Sequence, residues 1–136
     1  YDRFKCSIVA IEEIDPQHTD KYGVIAGEEI EEGIFRVSTM VEKPAPEEAP
    51  TNLAIIGRYI LTPDIFEIIK ATKPGKGGEI QITDALMQQA SQGNVIACKF
   101  KGKRYDCGSI DGYVQATRQR RPYEYVGSRK PSSCEA

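Results

Sequence analysis

A carboxylate and an ammonium group stand side by side at Glu42 and Lys43, directly before Pro44. A carboxylate can accept hydrogen bonds from two neighbouring sugar hydroxyls, and an ammonium can neutralise a phosphate. Neighbouring strand residues point to opposite faces, so both side chains reach one cleft only if the proline ends the strand there. The pair indicates either a sugar-phosphate site or a charged strand end that is simply solvated.

A second carboxylate, Asp106, lies between a predicted strand and a predicted helix. Ligands collect beside the carboxyl ends of strands in open α/β sheets, and Mg²⁺ takes one or two carboxylates together with phosphate oxygens. Asp106 could supply one such ligand. The alternative is an ordinary Asx turn that leads into a helix capped by Ser109.

Two other polar segments favour no chemistry of their own. His18 is the single histidine, which leaves Ser-His-Asp or Cys-His catalysis without a convincing base. The glycine-rich segment 73–79 follows a predicted helix rather than a strand. It also lacks the G-x-x-x-x-G-K-[ST] pattern of a phosphate-binding loop, so a surface loop is expected.

The elements that position these residues begin with strands. Short β-branched or alternating segments predict strands at residues 6–11, 22–26, 35–41, 52–61 and 95–100. The first has the composition of a strand buried on both faces. Residues 27–33 are expected to form a solvated turn that joins the second and third strands as a hairpin. The third strand should place alternate residues on one face, namely Phe35, Val37, Thr39 and Val41.

Three helices are predicted from their terminal residues. Thr62 precedes a proline and an aspartate, which is typical of a helix N-cap. Thr83 is expected to cap a second helix that ends before Gly93, and Ser109 should open the third. The third helix should turn three apolar side chains inward, namely Ile110, Tyr113 and Val114. Strands that alternate with helices indicate an α/β fold, and the hairpin makes the sheet mixed.

Composition limits the classes of protein that fit. Lys and Arg number 18 against 20 Asp and Glu, and this slight acidity argues against a nucleic-acid partner. No apolar run approaches the roughly 20 residues of a membrane helix, so no membrane partner is expected. The four cysteines form no C-x-x-C pair, and free thiols in a reducing, cytoplasmic compartment are expected.

Five segments occur in an order that resembles the C-terminal half of bacterial UTP–glucose-1-phosphate uridylyltransferases, also called UDP-glucose pyrophosphorylases. They are residues 22–24, 41–44, 52–59, 78–85 and 102–108. The resemblance covers residues 1–117 and leaves 118–136 as a basic, poorly patterned tail. It implies the nucleotidyltransferase fold, a Rossmann-like mixed sheet of the GT-A-like type between helices, present here as a C-terminal fragment.

The resemblance also implies an activity, in which UTP and glucose 1-phosphate give UDP-glucose and pyrophosphate with Mg²⁺ as cofactor. Carried over by motif, Gly23 would lie against the sugar and Glu42 would bind its hydroxyls. Lys43 would bind the sugar phosphate and Asp106 the metal, which makes these two the catalytic candidates. Cytoplasmic homo-oligomers are common in the family, so an oligomer is expected. In-line attack on the α-phosphorus needs no covalent enzyme nucleophile, so catalysis would come from positioning and charge neutralisation.

The same resemblance implies that part of the catalytic machinery is missing. Family members bind the nucleotide through an N-terminal G-x-G-T-R type loop and a second metal-binding aspartate, and neither motif occurs in these 136 residues. The chain alone is therefore expected to be inactive. Two alternatives remain open, a sister nucleotidyltransferase that uses dTTP, ATP or GTP, and a non-catalytic binding or assembly module.

Overall fold

The structure, a computed structural model, describes residues 1–119 apart from the side chain of residue 76. The chain divides into two compact units, Tyr1–Lys101 and Gly102–Ala136, and the second is described as far as residue 119. The predicted tail 118–136 therefore lies outside the described residues except for its first two positions. The predicted boundary after residue 117 stays a prediction.

The first unit contains five strands and two α-helices among its described residues. The strands are β1 Ser7–Glu13, β2 Gly23–Glu31, β3 Ile34–Glu42, β4 Leu53–Ile60 and β5 Val95–Lys99. The helices are α1 Ile65–Ala71 and α2 Ile82–Ser91, and short 3₁₀ turns occupy Pro16–Lys21 and Lys76–Gly78. The described part of the second unit contains one helix, α3 Ile110–Gln119.

The sheet is mixed, as the sequence predicted. β1 runs parallel to β5 and antiparallel to β4, and β2 runs antiparallel to both β3 and β4. An antiparallel pairing of β3 with β5 closes the strands into a barrel in the order β1-β4-β2-β3-β5. Helix α2 packs on β3 and β5, and α1 packs on α2. The α/β class is therefore confirmed.

The first strand is fully buried on one face only, which corrects the expectation of burial on both. Ser7, Val9 and Ile11 have no exposed surface, whereas Ile8 and Ala10 between them are half-buried. The buried face belongs to the core that β1 shares with β2, β3 and α2. Both α1 and α2 contribute to that core, so they cover the same face of β1. Among the described residues, the opposite face of β1 stays partly exposed to solvent.

The hairpin of β2 and β3 is confirmed, but its turn is much shorter than predicted. β2 continues to Glu31, and residues 32–33 form the turn. The polar segment assigned to a loop is paired with β3 along its backbone. Its side chains are mostly exposed, because this half of β2 is not covered by a helix. A solvated strand and a polar loop have similar compositions, and pairing with a partner strand decides between them.

The predicted helix ends are correct at two positions. Gly93 has a φ of 75°, its N–H donates to the Ala90 carbonyl at 2.9 Å, and the next N–H donates to the Gln89 carbonyl at 3.0 Å. This is a Schellman motif, which needs a residue that tolerates the left-handed conformation. Ser109 caps α3, because its Oγ accepts the N–H of Gly112 at 3.1 Å.

The two predicted threonine caps are wrong. The side chain of Thr62 contacts Ser7 and Gln89 instead of a helix N–H, and α1 begins three residues later at Ile65. Helix α2 begins at Ile82, so Thr83 lies inside it and its hydroxyl is directed elsewhere. In both cases the threonine hydroxyl forms a hydrogen bond with a residue distant in sequence, rather than with a backbone N–H at the start of the helix.

The inward orientation predicted for α3 is also wrong. Its apolar residues are exposed by 85%, 62% and 39%, at Ile110, Tyr113 and Val114 respectively. No residue of α3 is buried. Within residues 102–119, the described part of its unit, the apolar stripe of α3 is not covered.

Candidate functional site

A β-bulge in β3 determines which residues of this strand face the core. Ala26 of β2 pairs with Thr39, whereas the next residue, Gly27, pairs with Val37. Ser38 is therefore an extra residue in β3. An extra residue shifts the alternation of side chains between the two faces by one position.

The bulge turns Glu42 away from solvent. Beyond it Met40 is 6% exposed and Val41 is 36% exposed, the reverse of the regular alternation expected from the sequence. Glu42 shares its face with Met40, and its side chain is only 15% exposed. In a strand without the bulge, Glu42 would lie on the outer face with the other charged residues.

The carboxylate of Glu42 is held by helix α2. The hydroxyl of Thr83, a residue that is 3% exposed, donates to Glu42 Oε2 at 2.6 Å. Gly23, the cross-strand partner of Glu42, lies next to both groups. A Cβ at Gly23 would stand 3.1 Å from Glu42 Oε2 and 3.1 Å from Thr83 Oγ1. The absence of a side chain at Gly23 therefore keeps this pair of polar atoms uncrowded.

Lys43 continues the chain in a left-handed conformation, with a φ of 47°. Its N–H donates to the Tyr22 carbonyl at 3.0 Å, and its Nζ lies 3.9 Å from Glu42 Oε1. A non-glycine residue in this conformation costs about 1–2 kcal/mol. This turn of the backbone, just before Pro44, brings two neighbouring charges to the same side of the sheet.

Tyr59 of β4 adds a neutral hydroxyl to this neighbourhood. Burial raises the pKa of the half-buried phenol, and the negative charge of Glu42 raises it further. The phenol therefore keeps its proton at neutral pH and can donate or accept a hydrogen bond.

Asp106 belongs to the second unit. It forms an Asx turn, which is one of the two roles that the sequence suggested for it. Its Oδ1 accepts the N–H of Gly108 at 2.9 Å, and its carbonyl accepts the hydroxyl of Ser109 at 3.1 Å. Oδ2 takes no part in that turn, and the residue is exposed. A fixed, exposed carboxylate fits a hard cation that completes its shell with phosphate oxygens. Within residues 1–119, no three or more acidic, histidine or cysteine side chains cluster as a ready metal site.

Comparison with known proteins decides the family. A family model for nucleotidyl transferases matches residues 3–121. The chain belongs to the nucleotidyl transferase family. The nucleotidyltransferase family implied by the five sequence motifs is therefore confirmed.

Relatives of the chain carry consistent names. The chain is 73% identical over 117 residues to a UTP–glucose-1-phosphate uridylyltransferase of Pseudomonas aeruginosa, which covers 86% of this chain and 42% of the relative. It is 47% identical over 118 residues to the enzyme of the same name from Streptococcus pneumoniae, covering 86% of this chain and 40% of that one. The chain thus spans about two fifths of the length of these relatives.

A solved structure supports the same assignment at the level of the fold. The chain matches a crystal structure of UDP-glucose pyrophosphorylase complexed with UDP-glucose, with a TM-score of 0.83 and 62% identity. The match covers 87% of this chain and 45% of that one.

The structure brings three of the predicted site residues of this nucleotidyl transferase together, namely Gly23, Glu42 and Lys43. Sequence reasoning missed Thr83 and Tyr59. Thr83 was assigned to a helix cap, and Tyr59 is one of several apolar residues in a strand. The packing of α2 on β3 places Thr83 against Glu42, and Tyr59 lies near enough for the charge of Glu42 to raise its pKa; only the tertiary structure reveals these relations.

Three further observations bear on its environment. Cys6, Cys98 and Cys107 are free thiols, and Cys134 lies outside the described residues. Burial raises the pKa of the Cys6 and Cys98 thiols. In the described part of the chain, no helix has both the length and the apolar character needed to cross a membrane.

Proposed function

We propose that this segment forms the sugar-phosphate side of a UTP–glucose-1-phosphate uridylyltransferase. The observation that carries the proposal is the placement of Glu42 and Lys43, one carboxylate and one ammonium with charged atoms 3.9 Å apart, beside a glycine. Such a pair matches a ligand that has hydroxyls next to a phosphate. Relatives that are 73% and 47% identical carry the name of this enzyme, which favours it over sister enzymes for other nucleotides.

Glu42 would recognise the glucose ring. An ionised carboxylate offers about four lone-pair positions, and the hydroxyl of Thr83 occupies one of them. The remaining positions can accept hydrogen bonds from sugar hydroxyls. Gly23 would contribute by having no side chain, because a Cβ at this buried position would crowd the Glu42 carboxylate and the Thr83 hydroxyl that holds it.

Lys43 would hold the phosphate of glucose 1-phosphate as the nucleophile. Its side chain is 49% exposed, so a ligand in solution can reach the ammonium. In the proposed reaction an oxygen of the sugar phosphate forms a bond to the α-phosphorus of UTP. The bond from that phosphorus to the bridging oxygen breaks, and pyrophosphate leaves with the electron pair. Lys43 would orient the attacking oxygen and reduce the repulsion between the two anions.

Asp106 would be a Mg²⁺ ligand in the complete enzyme, where the ion supplies charge neutralisation for the phosphates. The Asx turn holds its carboxylate in a fixed place, which lowers the entropy lost when a ligand binds. A cytoplasmic location and a homo-oligomeric enzyme are further parts of this proposal and rest on the family resemblance alone.

Binding and turnover test the proposal separately. The purified chain should bind glucose 1-phosphate more tightly than inorganic phosphate in calorimetric titrations, and Glu42→Gln should remove this preference. Glu48→Gln is the matched control, because it makes the same change at an exposed residue a few positions along the chain. An equal preference in wild type and Glu42→Gln would contradict the assignment of Glu42.

The chain alone should form no UDP-glucose from UTP, glucose 1-phosphate and Mg²⁺, because its residues supply only one side of the proposed site. Chromatographic detection of nucleotide sugar against a boiled control measures this. Sustained product formation would show that the missing motifs are not required.

A further inference from the structure

The hydroxyl of Thr83 makes an unusual choice of partner. Thr83 is the second residue of α2, and a threonine hydroxyl commonly bonds to a backbone group close to it in sequence. Thr83 instead donates to a carboxylate 41 residues away in sequence, at 2.6 Å. A threonine hydroxyl has one proton, so this bond uses its whole capacity as a donor.

The two oxygens of Glu42 consequently have different surroundings. Oε2 is tied to helix α2 through Thr83, whereas Oε1 lies 3.9 Å from the ammonium of Lys43. The terminal torsion of a glutamate is otherwise broad and close to two-fold symmetric. A donor on one oxygen removes that freedom and makes the second oxygen the one that is presented to the half-exposed Lys43 side.

The position of this carboxylate is also limited from the strand side. A Cβ at Gly23 would lie 3.1 Å from both Glu42 Oε2 and Thr83 Oγ1, and 3.3 Å from Ile55. Glu42 and Thr83 therefore pack directly against the backbone of β2, where the two hydrogen atoms on the Gly23 Cα fit and a methyl group would be crowded. Burial of Thr83, at 3% exposure, keeps water from replacing its hydroxyl as the donor.

We propose that Thr83 is a positioning residue for sugar recognition: its hydroxyl orients the Glu42 carboxylate so that Oε1 accepts the sugar hydroxyls of glucose 1-phosphate. This inference rests on the proposed function. Thr83 does not touch the sugar in this scheme, and it acts through Glu42.

The test compares Thr83→Val with Thr83→Ser in the purified chain, using glucose 1-phosphate and inorganic phosphate as probes in calorimetric titrations. Valine keeps the shape of threonine and removes the donor, whereas serine keeps the hydroxyl. We expect Thr83→Val to weaken binding of glucose 1-phosphate about tenfold, the effect of losing one charge-assisted hydrogen bond. Binding of inorganic phosphate should be unchanged, and Thr83→Ser should behave as wild type.

Thr72→Val is the matched control for the loss of a buried threonine hydroxyl. Thr72 is 8% exposed, and its hydroxyl donates to the Ile68 carbonyl at 2.8 Å. Thr72→Val should lower the melting temperature without changing the ratio of the two dissociation constants. A double-mutant cycle provides a second measurement, since Thr83→Val should have no further effect on glucose 1-phosphate affinity in a Glu42→Gln background.

Each other outcome overturns a different statement. Wild-type affinity in Thr83→Val would overturn the positioning role, and so would an equal loss for both probes, which a purely structural role produces. If Thr83→Val does not fold, Thr83→Ser provides the test. Weaker binding of glucose 1-phosphate by folded Thr83→Ser, with unchanged binding of phosphate, would also overturn the positioning role, because serine keeps the hydroxyl. Wild-type protein that binds glucose 1-phosphate no better than phosphate would overturn the proposed function itself.

Discussion

Replacing Lys43 by glycine should separate the stability of the fold from the binding of phosphate. Lys43 is held at a φ of 47°, a conformation that glycine adopts without steric cost. The N–H that donates to the Tyr22 carbonyl is retained in the variant. The ammonium, which the proposed function needs, is lost.

The structure gives the expected size of the stability change. Relief of the left-handed conformation contributes about 1–2 kcal/mol, and the greater freedom of glycine in the unfolded chain takes back about 0.4–1 kcal/mol. The ion pair with Glu42 spans 3.9 Å at a side chain that is 49% exposed, so its loss costs at most about 1 kcal/mol. The free energy of unfolding should therefore change little, between a fall of about 1 kcal/mol and a rise of about 1.6 kcal/mol.

Binding should change far more than stability. The loss of a hydrogen bond to a charged phosphate costs about 1.5–3 kcal/mol, which corresponds to roughly 10- to 100-fold weaker affinity. Urea denaturation measures the stability, and calorimetric titration with glucose 1-phosphate measures the affinity. Lys5→Gly is the matched control, because Lys5 has a φ of 51° and an exposed side chain. Its stability should change by a similarly small amount, and it should keep wild-type binding.

A large loss of stability in Lys43→Gly, with Lys5→Gly unaffected, would refute this reasoning. It would show that the Lys43 side chain holds the fold together and that its backbone conformation is a consequence of packing. Unchanged affinity for glucose 1-phosphate in a stable Lys43→Gly variant would instead refute the assignment of the phosphate to Lys43.

Three further outcomes are expected. Asp106→Asn should retain its melting temperature, because asparagine keeps the turn, and should lose Mn²⁺ binding in a paramagnetic NMR titration; a lower melting temperature with unchanged Mn²⁺ binding would contradict the metal role. Gly93→Ala should lower the free energy of unfolding by about 1 kcal/mol in urea, because alanine resists the left-handed conformation. The pKa of Tyr59 is higher in the folded protein than its ordinary value of 10.0. The stability that this shift contributes is therefore fully present below about pH 10 and is lost as the pH rises through the pKa of the folded state. In urea denaturation above pH 10, the free energy of unfolding of Tyr59→Phe should therefore decline less with pH than that of wild type.

Much of the fold was predictable because it depends on local patterns. Runs of β-branched residues indicated every strand of the first unit, and glycine after a periodic segment indicated the end of α2. The β-bulge at Ser38 was not predictable in this way. A bulge is a property of two paired strands, and the residues of one strand do not show where its partner skips a position.

The threonine caps failed for a related physical reason. Thr62 and Thr83 both have the residue type and the position of an N-cap, and their hydroxyls can satisfy a helix N–H or any other buried acceptor. Side chains from other elements offered closer partners, Gln89 for Thr62 and Glu42 for Thr83. Local preference therefore found the helices and misassigned the residues that join them to the sheet.

Three features near the end of β3 depart from regular strand structure. The bulge at Ser38 reverses the strand faces, Lys43 occupies a costly backbone conformation, and Gly23 leaves space beside them. Each departs from the most stable local choice, and strain of this kind persists where the surrounding structure maintains it for a purpose. Lys5 shows that one such residue alone is weak evidence. Three on adjacent strands, around one carboxylate, form a much stronger argument for a site.

The two interpretations of Asp106, which the sequence presented as alternatives, do not exclude each other. The Asx turn uses Oδ1 and holds the residue against Gly108, but it leaves the charge of the carboxylate in place and Oδ2 outside the turn. A metal ligand benefits from being held in position before the metal arrives, because less conformational entropy is then lost on binding. Turn and ligand are thus compatible roles of one side chain. Asparagine can take over only the first, since it keeps the acceptor oxygen and lacks the charge that a hard cation requires.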